Sequence, residues 1–358
     1  MKRILAVVFI IILAVVVAAA GTTYWIFNSV KTPHEHTHSA EFIRIEKGST
    51  PRQIVDRLAS EGIISSSAAA NLYLRLFGDS QGLQAGVYQF RSPISTLEVL
   101  KQLEKGQDLS VKITIPEGFT RFDIAKRMVE KFGNLEVLDG DAPREPFPSE
   151  TEILKTMDDT SLIKDISPKA ENLEGYMYPT TYTFPRDAMA SEIIRAIVEQ
   201  FRKFWKPEWT AAAAAKGRTP NEIVTIASLI ETETSIETER PIVASVIYNR
   251  LSKGIPLGID QANVYLAKMQ GRWDGVINKS DLEVDSPYNT RTHIGLPPGP
   301  ISSVTESSIK AALEPAQTDF LYYVRNVDAN DGTHWFYASA AEFEKGKAKY
   351  QKWLAEQR

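Results

Sequence analysis

The sequence IASLIETETSIETERPIVASVIYNRL, Ile226 to Leu251, is the most informative part of this chain, because it sets two of its glutamates, Glu231 and Glu233, among apolar residues. Around it, positions recur at the i, i+3, i+4, i+7, i+11 spacing of one buried helical face: Ile223, Ile226, Ala227, Ile230 and Thr234. At roughly 100° per residue, Glu231 and Glu233 fall about 80° to either side of the centre of that face. The pattern therefore predicts a helix whose two carboxylates point to opposite flanks, so that at most one lines any single cleft.

Two interpretations of these glutamates follow from the spacing. A carboxyl group in a partly apolar cleft has a raised pKa, because desolvation disfavours the anion, and it can then serve as a general acid near neutral pH. Alternatively, both glutamates are solvated at the border of an amphipathic helix. The spacing alone does not choose between them.

Composition narrows the classes of function. The chain has 358 residues and 43% hydrophobic content, enough for a sizeable core and for two domains after a membrane anchor. The net charge of −4, with scattered lysines and arginines, gives no sign of a nucleic-acid partner. The lack of cysteine excludes disulfides, thiolate metal sites and cysteine nucleophiles. No P-loop, dinucleotide-binding glycine motif or serine nucleophile elbow occurs, and we predict no cofactor.

The N-terminus predicts a single-pass membrane anchor. Ile4 to Ala20 is wholly apolar and no charge occurs before Lys31, which is long enough to cross roughly 30 Å of hydrocarbon. Lys2 and Arg3 precede it, so we expect residues 1–3 in the cytoplasm, an anchor at 4–27 and the remainder outside. A cleaved signal peptide ending at Ala20 is the alternative, but the apolar run exceeds the usual length of about 7 to 15 residues.

Residues 28–40 are predicted to form a linker. Its polar segment, Pro33 to Ala40, contains His34, Glu35 and His38 in an H-E-x-x-H pattern. That zinc chemistry needs two histidines on a buried helix, a third ligand and a walled cleft. A short polar segment beside a membrane offers none of these, so we predict no metal site.

The rest of the chain predicts an α+β fold in two parts. Residues 41–107 indicate a strand, two helices and a strand, followed by a third helix; the predicted bounds are Phe42–Ile45, Pro51–Ala59, Ala68–Phe77, Gly86–Phe90 and Ser95–Lys105. Residues 108–350 indicate a larger mixed domain; its predicted elements are a strand at Val111–Ile115, helices at Arg121–Lys131, Asp187–Trp205 and Thr210–Lys216, and an irregular loop at Asp139–Glu150.

Five motifs carry a family resemblance: Ile226–Thr234, Glu239-Arg240, Asn249-Arg250-Leu251, Ser286-Pro287-Tyr288-Asn289-Thr290 and Gly295-Leu296-Pro297-Pro298-Gly299-Pro300. Together they resemble the MltG or YceG-like endolytic murein transglycosylases, in an order that runs from about residue 41 to about 345. The segment Asn172–Phe184 also resembles an E-G-x-x-x-P-x-T-Y element of that family. Its tyrosines predict either an aromatic wall for sugar rings or a packed strand. The resemblance implies that 41–107 is a LysM-like subdomain, either contacting glycan or acting as a spacer, and that 108–350 is catalytic.

The resemblance also implies an activity. Glu233, the second glutamate of the E-x-E-T element, would cleave the bond between N-acetylmuramic acid and N-acetylglucosamine in nascent peptidoglycan and leave 1,6-anhydro ends. Such a lytic reaction needs one carboxylate, because the substrate's own hydroxyl replaces water. Strand termination, contact with peptidoglycan synthases and an inner-membrane location with a periplasmic catalytic domain are implied as well. A non-catalytic peptidoglycan-binding membrane scaffold is the alternative.

Substrate-binding residues are predicted on a helix end and on two loops: Asn249, Arg250, Asp260, Gln261, Tyr288, Asn289 and Thr290. Asp260 and Gln261 lie where most of the family has Gln-x-Asp-Pro-Thr-Val-x-Tyr. Here Gly258, Gln261, Ala262 and Asn263 replace four of those residues, which puts substrate contacts from this loop in question. Likewise, Val304-Thr305 replaces the family's usual Pro-Gly. His334 is predicted to be a hydrogen-bonded structural histidine rather than a proton carrier.

Overall fold

The computed structural model describes residues 2–39, 43–46, 48–78, 82–106, 110–135, 146–186 and 188–357. These residues form two compact units, unit 1 before Ser110 and unit 2 from Ser110 onward. Both mix helices with short two-stranded antiparallel sheets, as the predicted α+β class requires. Phe42, residues 139–145 and Asp187, which fall in three predicted elements, lie outside the described residues.

Unit 1 begins with one long apolar helix, α1 at Lys2–Lys31. Within it, Phe9–Lys31 is long and apolar enough to cross a membrane. The helix runs four residues past the predicted anchor end at residue 27, and its last turns are part of the folded unit. Ile26 and Val30 are fully buried there, and α1 packs against two later helices of the unit.

The remaining elements of unit 1 follow α1 in chain order: β1 Pro33–His34, β2 Ile43–Ile45, α2 Pro51–Ser60, α3 Ser67–Leu76, β3 Gly86–Tyr88, β4 Ile94–Ser95 and α4 Thr96–Lys105. The strands pair antiparallel as β1 with β4 and β2 with β3. The predicted strand, two helices and strand are therefore present as β2, α2, α3 and β3. The LysM-like assignment rests on the resemblance alone.

The predicted linker is the part of unit 1 that differs most from expectation. Pro33 and His34 pair with Ser95 and Ile94, and the backbone N–H of His36 donates to the Ser92 hydroxyl at 2.9 Å. The segment is therefore tied to the unit by hydrogen bonds. Composition suggested a linker because these residues are polar, but backbone pairing does not depend on apolar side chains.

Unit 2 contains the larger core. Its elements are β5 Val111–Thr114, α5 Arg121–Met128 with a π turn at Val129–Gly133, α6 Glu150–Thr156, a 3₁₀ turn at Ser161–Ile163, β6 Thr181–Phe184, α7 Ala190–Phe204, α8 Pro207–Ala215, α9 Pro220–Glu233, a 3₁₀ turn at Glu237–Glu239, α10 Arg240–Ser252, α11 Asp260–Met269, α12 Lys279–Leu282, α13 Glu306–Leu313, β7 Tyr322–Arg325, β8 His334–Tyr337 and α14 Ala340–Glu356. Strand β5 pairs with β6, and β7 pairs with β8.

Helix α9 lies in the middle of this core. A reciprocal capping box between Thr219 and Glu222, with Pro220 in the first turn, begins the helix. Its predicted apolar face is completely buried, and the helix packs against α8, α10, α11 and α13. The predicted helical position of Thr234 is wrong: the helix ends at Glu233, and Thr234 caps it in an extended conformation. Glu233 therefore stands at the last turn, where the chain leaves the core.

The predicted aromatic segment from Asn172 to Phe184 is mostly packed rather than exposed. Tyr176 is fully buried, and its hydroxyl donates to Asn221 Oδ1 and shares a second hydrogen bond with the Ser167 hydroxyl. Tyr178 stacks on Phe204 at 3.9 Å between ring centroids. The arrangement favours the packed interpretation of these tyrosines over a sugar-binding wall. Gly175 has a φ of +82°, and a Cβ there would lie 2.5 Å from Pro300, so only glycine fits beneath the proline-rich loop.

Candidate active site

Glu233 lies partly buried at the end of α9, beside the β7–β8 sheet. The hydroxyl of Tyr323 on β7 donates to Glu233 Oε2 at 2.6 Å. No lysine, arginine or histidine among the described residues lies within ion-pair distance of this carboxyl group. Burial raises the pKa of Glu233, and the charge of Asp260 raises it further, while Tyr323, His334 and Arg250 lower it. The net upward direction is what a general acid near neutral pH requires.

A second carboxyl group supports the wall around Glu233. Glu239 accepts from the backbone N–H of His334 at 2.7 Å and lies 2.8 Å from the His334 ring through Oε2. It also accepts from the Thr234 hydroxyl at 3.2 Å. The His334 ring meets the Tyr323 ring edge to face, with 5.6 Å between centroids. Glu239 thus fixes His334 against Tyr323, and these contacts agree with the predicted structural role of His334.

Glu231 faces a different set of partners, as the helical spacing predicts. Arg240 Nη2 donates to Glu231 Oε1 at 2.9 Å, and both side chains are almost completely buried. Thr305 donates to Glu231 Oε2 twice, from its backbone at 2.9 Å and from its hydroxyl at 2.7 Å. Arg240 Nη1 also donates to the Thr305 hydroxyl at 2.6 Å. This carboxylate is ion-paired and multiply hydrogen-bonded, so it joins α9, α10 and α13 rather than lining a cleft.

The predicted substrate ligands at the end of α10 bind the protein itself. Both hydrogens of the Asn249 amide donate to backbone carbonyls, of Thr318 and Phe320, at 2.9 Å. Arg250 donates to the carbonyls of Leu321 and Leu257, each at 2.6 Å. Asn249 therefore has no donor left for a sugar, and its predicted binding role is not supported. These two residues hold the segment before β7, and with it Tyr323, against α10.

The loop with unusual residues places Asp260 at the first turn of α11. Arg291 donates to Asp260 Oδ1 through Nε and Nη2, at 2.7 Å and 2.5 Å. Gln261 is exposed beside it. Gly258 has a φ of +64°, which favours glycine, and Asn263 is completely buried and donates to the Asp281 carbonyl. Gly258 and Asn263 thus serve the local fold, while the side chains of Asp260 and Gln261 reach solvent.

Tyr288, Asn289 and Thr290 are buried, which argues against direct contact with a glycan. Asn289 donates to the carbonyls of Leu282 and Val284, at 3.0 Å and 2.8 Å. The Thr290 hydroxyl accepts from the Ile259 backbone N–H at 2.9 Å, and the Thr290 carbonyl accepts from Gly258 at 2.8 Å. These contacts hold the loop that leads to Asp260, and the predicted substrate-binding role of the three residues stays a prediction. Polarity in a loop suggested exposure, but each polar atom named here is bonded within the fold.

Three important contacts were missed at the level of sequence. Tyr323 lies 90 residues from Glu233, within a strand whose pattern predicts nothing about the partner of its hydroxyl. Thr305 was noticed as a departure from the family, and Arg240 as part of a motif. Only their pairing with Glu231, 74 and 9 residues away, reveals their role. A buried arginine needs a carboxylate, and that requirement was the available indication for Arg240.

Comparisons with known proteins agree on one family. A family model described as the YceG-like family matches residues 43–349. The chain is 32% identical over 315 residues to the endolytic murein transglycosylase of Bacillus subtilis (strain 168), covering 86% of this chain and 84% of that protein. It is 27% identical over 333 residues to the endolytic murein transglycosylase of Streptococcus pneumoniae serotype 2 (strain D39 / NCTC 7466), covering 86% and 58%.

A solved structure gives the same result. The crystal structure of a putative yceG-like protein from Listeria monocytogenes has a TM-score of 0.54 and 30% sequence identity to this chain. The match covers 85% of this chain and 98% of that one. With the family model spanning most of its length, this chain belongs to the YceG-like family.

Proposed function

We propose that this chain is a membrane-anchored lytic murein transglycosylase in which Glu233 is the acid and base. The observation that carries the proposal is the isolation of Glu233: it is partly buried, has a raised pKa, and receives one hydrogen bond from a neutral tyrosine. The names of the curated relatives support the same reaction class.

In the first step, protonated Glu233 donates its proton to the glycosidic oxygen between N-acetylmuramic acid and N-acetylglucosamine. The bond from that oxygen to the muramic acid C1 breaks, and an oxocarbenium-like centre develops. Tyr323 holds Oε2, which leaves the other carboxyl oxygen to carry the proton. Because burial disfavours the anion and outweighs the opposing effects of Tyr323, His334 and Arg250 on the pKa, the neutral acid is favoured before the reaction.

In the second step, the carboxylate takes the proton of the muramic acid C6 hydroxyl, whose oxygen attacks C1. A 1,6-anhydro ring forms and Glu233 returns to its protonated state. A hydrolase would instead need a second carboxylate to act on water or on the sugar. Glu231 binds Arg240 and Thr305, and Asp260 forms an ion pair with Arg291. Neither carboxylate is therefore free to act on water or on the sugar.

Several further features belong to this proposal. Residues 4–27 anchor the chain in the inner membrane with residues 1–3 in the cytoplasm, and the catalytic domain at 108–350 works outside. Cleavage falls within nascent strands and terminates their elongation near peptidoglycan synthases, and the subdomain at 41–107 contacts glycan. The apolar helix α1 and the resemblance to the family support these statements.

The test is product analysis with the full chain in detergent. Wild-type protein and Glu233→Gln are incubated with sacculi, and the released fragments are identified by mass spectrometry. We expect anhydro ends from the wild type and none from the variant, with equal binding to sacculi. Reducing ends that incorporate labelled water would instead indicate a hydrolase. Binding without cleavage by the wild type would support the scaffold alternative.

A further inference from the structure

Unit 1 exposes large apolar side chains in only two places among its described residues. One is the run from Phe9 to Val17 on α1, which is expected inside a bilayer. The other combines Tyr24 and Trp25 on α1 with Leu76 and Phe77 at the end of α3. Leu76 is 56% exposed and Phe77 is 49% exposed. Neither belongs to the buried core of unit 1, so their position needs another explanation.

The two parts of this second patch are joined through Phe27. Its ring lies 5.0 Å from the Phe77 ring and 5.9 Å from the Tyr73 ring, centroid to centroid. The end of α3 is therefore at the same height along α1 as Phe27. We call Tyr24, Trp25, Leu76 and Phe77 the interface patch.

The height of Phe27 relative to a membrane follows from helix geometry. Counting from Ile4, a span of about 20 residues reaches Thr23 at the edge of the hydrocarbon. Phe27 lies three residues beyond Tyr24, or about 4.5 Å further along the axis at roughly 1.5 Å per residue. The headgroup layer is about 5 to 8 Å thick on each side. Phe27 and Phe77 thus fall within that layer.

We propose that the end of α3 docks into the lipid headgroup layer, so that unit 1 contacts the membrane through both α1 and α3. Leu76 and Phe77 place their apolar atoms at the level where interfacial aromatic residues are favoured. Cationic groups lie close by: Lys31 Nζ is 5.2 Å from the Phe27 ring centroid, and Arg75 is exposed in the last turn of α3. Both suit anionic lipid phosphates.

The contact would fix the orientation of unit 1 on the membrane. A helix that only crosses the bilayer leaves the attached unit free to tilt and rotate, whereas a second contact removes much of that freedom. This effect requires a rigid connection between α1 and the rest of unit 1. The connection is provided by the burial of Ile26 and Val30 and by the pairing of β1 with β4. The inference rests on the proposed membrane anchor and is independent of the chemistry at Glu233.

The absence of cysteine makes this proposal directly testable, because each introduced cysteine is unique. Full-length Leu76→Cys and Phe77→Cys, each labelled with an environment-sensitive fluorophore, are reconstituted in phosphatidylcholine vesicles containing a minor share of phosphatidylglycerol. Arg52→Cys is the matched control, since Arg52 is 84% exposed on α2. Quenching by spin-labelled lipid headgroups and by aqueous iodide is measured for each.

We expect the labels at 76 and 77 to be quenched by the headgroup probe several-fold more than the label at 52, and by iodide several-fold less. Two label sites guard against a local disturbance where Phe77 contacts Phe27. Iodide quenching equal to that at 52 would overturn the proposal, as would shielding from both quenchers, which would indicate a protein partner. Anchored vesicle-bound protein that makes anhydro ends but shows water-exposed labels would reject this inference and leave the proposed function intact.

Discussion

The two flanks of α9 surround their carboxyl groups with different partners. On one flank, Glu231 is matched by the charge of Arg240 and by two donors from Thr305. On the other flank, Glu233 has one neutral donor, Tyr323, and a raised pKa. The first carboxyl group is held by an ion pair and hydrogen bonds within the core, while burial raises the pKa of the second. Two glutamates only two residues apart thus differ because of their surroundings: Glu231 suits a structural role, and Glu233 suits the proposed role in proton transfer.

The largest expected effect on activity comes from replacing Glu233 with glutamine. Glu233→Gln removes the proposed acid and base, and general acid and base catalysis contributes typically 10²- to 10⁴-fold, so we expect a loss of about a thousandfold or more in the release of anhydro ends. The thermal midpoint should remain near that of the wild type.

Glu231→Gln is the matched control and should show the reverse pattern. It leaves Arg240 buried without its carboxylate, so the midpoint should fall, while activity per folded molecule should fall far less. An inactive Glu231→Gln beside an active Glu233→Gln would invert the assignment.

The next effect concerns stability on the Glu231 flank. Arg240→Met leaves Glu231 as an uncompensated buried charge, and we expect the free energy of unfolding to fall by about 3–5 kcal/mol. Denaturant unfolding at neutral pH measures this loss. The double variant Arg240→Met with Glu231→Leu should recover most of it, because an apolar pair can replace a buried ion pair. Equal losses in the single and double variants would show that the ion pair is not the cause.

A third carboxyl group extends the comparison beyond α9. Glu174 is 1% exposed, accepts the Arg121 backbone N–H at 2.8 Å and has no ion pair among the described residues. Burial raises the pKa of Glu174 to about 7. The folded state therefore holds its proton over a pH range in which the unfolded chain has lost it.

The sign of the resulting pH dependence is definite. As pH rises from the unfolded pKa of 4.5 to about 7, Glu174 lowers the free energy of unfolding, by a total of about 3 kcal/mol. Below pH 4.5 this penalty is absent. Glu174→Gln should thus be more stable than the wild type at pH 8 and about equal at pH 4. A difference between the two proteins that is independent of pH would contradict the raised pKa.

The smallest expected effect concerns Tyr323. Its hydrogen bond favours the Glu233 anion, so Tyr323→Phe should raise the pKa of Glu233 further and move the alkaline limb of kcat/KM to higher pH. Loss of a hydrogen bond to a charged group, worth about 1.5–3 kcal/mol, should also reduce kcat by roughly 10- to 100-fold. A pH–rate profile on a soluble glycan-strand substrate measures both changes.

Asp260→Asn is the control of opposite sign. The Asp260 charge raises the pKa of Glu233, so its removal should move the alkaline limb to lower pH. Shifts in the same direction for both variants would contradict the electrostatic effect of one of the two groups on Glu233.

Much of the architecture around α9 is predictable from local pattern. The apolar face of α9 and the parting of Glu231 and Glu233 both follow from helical periodicity, because these features depend on neighbours within one or two turns. The apolar run of α1 follows from composition in the same way. The motifs indicated the family, and with it the prediction that Glu233 is the acid.

The surroundings of each carboxyl group were decided only by the tertiary structure. Tyr323 and Thr305 reach α9 from 90 and 74 residues away, and no local pattern specifies which atoms they meet. Tertiary contacts likewise bury the predicted ligands Asn289 and Thr290 among partners within the fold, and backbone pairing through β1 joins the predicted linker to the rest of unit 1. Helical periodicity in the sequence is enough to predict that the two glutamates point to opposite flanks of α9. Long-range packing decides how far each carboxyl group is buried and which charged groups lie near it, and at Glu233 these surroundings raise the pKa.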